Sequence, residues 1–143
     1  MQRRRLQSLD AKLYPDDYRL LALHPMLTNL GPQELHEDVH YKEALYWLRQ
    51  AFAHSTCPQS HMSPIGAVLY WAERIPQEFL DLLTQKKPRA VILLAHFCVL
   101  VKRASHYWFC TGAAEEIMME IQRNLDTKYL PWIEWPLQNF RSI

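Results

Sequence analysis

Glycine is scarce in this chain: three residues among 143, against nine prolines. That leaves no glycine-rich loop to cradle a phosphate, and it argues against an all-β chain built on glycine turns. Cysteine is scarce too. Cys57, Cys98 and Cys110 are an odd number and lie far apart, so they frame neither a small secreted disulfide scaffold nor a closely spaced metal cluster. An excess of one charge is missing. Sixteen Lys and Arg stand against fifteen Asp and Glu, a net +1. Such a balance carries no electrostatic footprint for direct nucleic-acid binding or for an acidic membrane. No apolar stretch follows the first residues, MQRRRLQSLDAK, so they do not read as a secretory signal, and Arg3 to Arg5 read as a solvated, frayed terminus. The chain is expected in the nucleus or cytoplasm.

What is present is helical periodicity punctuated by proline. The run AVILLAHFCVLV at residues 90–101 is apolar all round, so it belongs where it is covered on every side. It falls short of the ~20 apolar residues that span a bilayer. Pro88 suits a first helical turn, and Lys102 and Arg103 suit a last one. The sequence therefore predicts a central helix over 88–103 that other helices wrap. Tyr41, Leu45, Leu48 and Phe52 make one stripe of a helix over 33–54, with Glu34, Glu37 and Asp38 near its start. Tyr46 and Trp47 fall off that stripe and suggest a second buried face or an interface. Ser63-Pro64 is an N-cap followed by a first-turn proline. Pro76 opens a further short helix carried by Phe79, Leu80 and Leu83. Tyr107, Cys110, Ala114, Ile117, Met118, Ile121 and Leu125 keep helical spacing and predict one helix over 106–125. Pro131 and Pro136 bracket a last aromatic helix. Residues 1–33 are weakly patterned and are expected to form an arm or loop, with a turn or two of helix stopped at Pro25. Residues 34–143 are expected to form one all-α bundle of about five to six helices.

Chemical motifs are weak. His36 and His40 are four apart, but no third ligand stands at a recognisable spacing and HEDVH lacks the zincin order, so no metal and no cofactor are expected. There is no GxSxG and no local Cys–His pairing. Cys57 and Cys110 would be nucleophiles only with a base brought near in space. His96 lies within the apolar run, where a buried imidazole needs a hydrogen-bond partner or a ligand. Trp71, Tyr107, Trp108, Phe109, Met118, Met119, Trp132 and Trp135 gather in the second half. Gly112, one turn after Trp108, opens a gap that a neighbouring helix or a flat lipophilic molecule would fill. Simple core packing explains the same pattern.

Four segments, ALYWLRQAF, VLYWAERIPQEFLDLL, PRAVILLAHFCVLVKRASHYWFCTGAAEEI and YLPWIEWPLQNF, resemble the C-terminal regulatory domain of fungal zinc-cluster transcription factors of the sterol-responsive type. The resemblance covers roughly residues 38–140. Its most specific parts are the A-x-x-L-L-A-H-F helix, the Tyr-Trp pair before Gly112, and Trp132, Trp135 and Pro136. It implies a helical bundle with a hydrophobic pocket for a sterol-like effector, a tendency to self-associate, and a role in transcription regulation. The expectation for this chain is a ligand-binding domain for a sterol, terpenoid or polyketide-like molecule that forms a homodimer. Carried over, the pocket walls would be His96, Phe97, Tyr107, Trp108, Gly112 and Met118. The family's six-cysteine DNA-binding cluster has no counterpart among three distant cysteines. The alternatives are a stand-alone, cofactor-free isomerase or cyclase of fungal secondary metabolism, with His96, Tyr107, Glu115 and Glu116 as acid–base candidates, or a helical interaction domain without a pocket.

Overall fold

The computed structural model describes residues 6–141; Arg3 to Arg5 lie outside them. Among the described residues there is no strand, and the fold is all-α. The helices are α1 (Asp17–Leu21), α2 (His24–Thr28), α3 (Asp38–Thr56), α4 (Pro64–Arg74), α5 (Gln77–Thr84), α6 (Pro88–Arg103), α7 (Ala113–Asn124) and α8 (Glu134–Arg141). Tight 3-10 turns link several of them.

The axis of the bundle is α6, with the bounds its sequence predicts. Pro88 occupies the first turn, where a missing N–H costs nothing. Ile92, Leu93, Ala95, Cys98 and Val99 are fully buried, because α3, α4, α5, α7 and α8 pack around this helix. The stripe Tyr41, Leu45, Leu48 and Phe52 faces the same core from α3. Trp71 of α4 locks the junction. Its ring lies 4.4 Å from that of Phe97 and 5.7 Å from that of Phe79. Its indole N–H donates to the Ala44 carbonyl at 3.0 Å, so the buried polar tip is satisfied. Ser63 caps α4 as expected, its hydroxyl accepting from the Gly66 N–H at 3.0 Å.

Residues 6–33 are tied onto the bundle. Leu20, Leu23, Met26 and Leu27 join the core cluster. Pro25 sits in the first turn of α2, and without an N–H it cannot donate to the carbonyl of Leu21, where α1 ends. Polar clamps hold the segment down. The Gln50 side chain donates to the Leu9 carbonyl at 2.7 Å and accepts from the Leu9 N–H at 2.9 Å. Arg89 donates to the carbonyls of Met26 and Asn29, which lie at the C-terminal end of α2. Tyr46 meets Ser8 through their hydroxyls at 2.8 Å, and the Trp47 ring stacks edge-on with Tyr70 at 6.1 Å. The off-stripe aromatics of α3 are thus partnered by the N-terminal segment and by α4.

Three predicted boundaries differ. The helix expected over 33–54 begins at Asp38, preceded by a 3-10 turn at Leu35–Glu37. The single helix expected over 106–125 is broken into a 3-10 turn, Trp108–Cys110, and α7. The backbone leaves the helical region at Tyr107 and Thr111, both extended, and at Gly112, whose left-handed φ of +79° precedes the first residue of α7. Thr111 closes the break by donating to the carbonyls of Ser105 and Tyr107. The last aromatic stretch forms a 3-10 segment, Thr127–Ile133, and then α8, with Pro136 inside that helix's first turn and not bracketing it.

Candidate functional site

His96 stands mid-way along α6 with its ring 5.8 Å from that of Trp135. Its Nδ1 lies 2.9 Å from the Ile92 carbonyl, which can only accept, so Nδ1 carries the proton. Burial pushes the imidazole down to about 4, partly offset by that hydrogen bond. The ring is therefore neutral at ordinary pH. It lines a cavity of about 290 Å³ together with Arg19, Trp132, Glu134, Trp135 and Gln138.

The other expected wall residues go elsewhere. Phe97 is next in sequence, but one helical step turns a side chain by about 100°, and Phe97 packs on Trp71 of α4. Tyr107 stacks on His106 at 4.3 Å. Trp108 is 86% exposed. Gly112 caps α7, and a Cβ there would meet nothing within 4 Å, so backbone conformation and not a close approach explains the glycine. Met118 is buried in the common core. The acid–base candidates are dispersed as well. Glu115 is ion-paired with Lys102, which holds its carboxyl below the usual range, and Glu116 is exposed on α7.

A different space lies between α6 and α7. The end of α5, the first turns of α6 and the second half of α7 enclose an open groove of about 350 Å³. Val91 and Leu94 from α6 face Ile117 and Ile121 from α7, with Leu83 and Leu125 at the ends. Lys86, Glu120, Asn124 and Asp126 form its polar edge. Spacings of three and four put each pair on one helix face. Ile117, Ile121 and Leu125 belong to the stripe read from the sequence. Val91 and Leu94 do not stand out there, because a helix apolar on every side gives no sign of which face its neighbours leave uncovered. The floor demands no hydrogen bonds and offers dispersion contact alone, which suits a lipophilic guest.

Among the described residues no three His, Cys, Asp or Glu side chains gather where they could hold a metal ion, and no helix is long and apolar enough to cross a membrane.

Comparison with known proteins gives one point of contact. Over 75 residues, 51% of this chain, the sequence is 27% identical to a Zn(2)-C6 fungal-type transcription factor of Gibberella zeae. The chain spans 15% of that protein's length. No family model matches, and no solved structure matches significantly.

Proposed function

We propose that this chain is a regulatory-type helical domain, of the kind carried by fungal zinc-cluster transcription factors, that holds a lipophilic small molecule in the α6–α7 groove. The observation that carries the reading is the groove itself. Val91, Leu94, Ile117 and Ile121 present a contiguous apolar surface that the protein's own side chains leave unfilled. Burying apolar area there would contribute about 25 cal/mol per Å². The partial similarity to a fungal transcription factor supports the regulatory setting. A sterol, terpenoid or polyketide-like molecule is the class of guest, and the site of action is the nucleus or cytoplasm. Self-association as a homodimer belongs to the same reading.

The test is an organic extract of purified protein analysed by mass spectrometry, with titration of a fluorescent sterol. Binding is expected, with Ile117→Glu weakening it by about tenfold or more and Trp108→Ala leaving it unchanged. An extract without a lipophile, together with no sterol binding up to its solubility limit, would leave a helical interaction domain. Light scattering on the same samples reports the dimer.

A further inference from the structure

α3 ends in a turn that assembles a second polar site. Pro58 cannot extend the helix and drives Cys57 into an extended conformation, φ −87° and ψ 113°. A 3-10 turn, Pro58–Ser60, then folds back over the last turn of α3 and closes at His61, whose φ is +50°. This returns Ser60 to His54, with Ser60 Oγ 2.6 Å from His54 Nδ1. The Tyr14 hydroxyl donates to Cys57 Sγ at 3.5 Å, and the Cys57 thiol donates to Gln59 Oε1 at 3.3 Å. His54, Cys57, Gln59 and Ser60 line a cavity of about 290 Å³ with Leu6 and Leu9. His54 is only 2% exposed. Its Nε2 is buried with no hydrogen-bond partner, a polar atom left for something that enters the cavity. Burial holds the imidazole below its ordinary value, offset in part by the Gln7 backbone.

We propose that Cys57, served by Ser60 and His54 as a proton relay, is a covalent modification site for α,β-unsaturated carbonyl compounds. The S–H turns from Gln59 Oε1 to Ser60 Oγ, which also bonds the sulfur, and its proton passes there as the serine proton passes to His54 Nδ1, leaving a thiolate and an imidazolium. The sulfur lone pair forms a bond to the β-carbon. The C=C π pair moves through the α-carbon to the carbonyl oxygen as an enolate. The proton held by His54 then returns through Ser60 to the α-carbon. A thiol and an alkene become one saturated thioether, and no oxidant is consumed. The Tyr14 hydroxyl, and then the Ser60 hydroxyl, favour the thiolate against burial and hold Cys57 below the usual thiol range. The site does not depend on the α6–α7 groove.

The other cysteines are internal controls. Cys110 is 7% exposed, as is Cys57, whereas Cys98 is fully buried and pushed up to about 12. The folded protein is treated with N-ethylmaleimide, itself an α,β-unsaturated carbonyl compound, and adducts are followed by intact mass and peptide mapping. Cys57 is expected to react about tenfold faster than Cys110. Ser60→Ala and Tyr14→Phe are each expected to slow Cys57 severalfold while the Cys110 rate and the circular dichroism stay unchanged. Equal rates at Cys57 and Cys110, or a Cys57 rate that neither substitution alters in a folded variant, would overturn the proposal.

Discussion

Arg49 grips Asp17 with a fork, Nε to Oδ1 and Nη2 to Oδ2, each at 2.8 Å. The pair joins α1 to α3 and places a carboxylate that is almost wholly buried beside a guanidinium. Two parallel charge-assisted bonds fix both position and orientation.

Arg49→Lys is expected to destabilise the fold by about 1–2 kcal/mol, because one ammonium cannot reproduce the fork. Arg49→Ala is expected to cost roughly 3 kcal/mol by leaving Asp17 buried and unpaired. Urea unfolding of the two variants measures both. Equal stabilities of the lysine variant and the parent would show that the fork's geometry contributes nothing.

His96 sets an acid limit on stability. Its ring titrates near 6.5 when unfolded and at about 4 when folded. Below 6.5 the unfolded chain binds the proton and the folded chain does not. The contribution is thus complete above 6.5, shrinks as the pH falls, and is lost through about 4, roughly 3 kcal/mol in all. His96→Leu should flatten the stability curve across that window. An unchanged slope in the variant would assign the acid sensitivity to other groups.

Gly112→Ala is expected to cost about 1 kcal/mol, since the left-handed φ and not lack of space is what excludes a side chain. Asparagine, which tolerates this region better, should cost less. Thermal melts of the two variants check the order; an alanine variant as stable as the parent would mean the break moves freely.

Trp71→Ala should be among the most damaging substitutions, at about 3–5 kcal/mol. It removes a ring packed on Phe79 and Phe97 and leaves the Ala44 carbonyl without the indole N–H. Trp108→Ala, by contrast, is expected to change stability by no more than about 0.5 kcal/mol, because the ring is mostly in solvent. A chemical-denaturation comparison of the pair separates core aromatics from surface ones.

Legibility followed the range of the interactions. The central helix, the Ser63-Pro64 start and the α3 stripe depend on spacing and caps within a few residues, and each is visible in the sequence. The break at Gly112 was hidden because the apolar spacing continues across it, and periodicity does not register a single left-handed residue. The relation of His54 to Cys57 was hidden for another reason. The two are three apart in sequence, but only the fold-back of the Pro58–Ser60 turn makes them chemical neighbours through Ser60.

By itself, then, the sequence determined an all-α chain with a buried middle helix and proline-marked joints, since helix formation and burial are written in local periodicity. Only tertiary structure decided that His96 and Phe97 face different partners, that Trp108 turns to solvent, and that Val91 and Leu94 border an open groove with Ile117 and Ile121. A helix that is apolar all round has no preferred face of its own. How its neighbours pack against it selects which face is filled and which is left open.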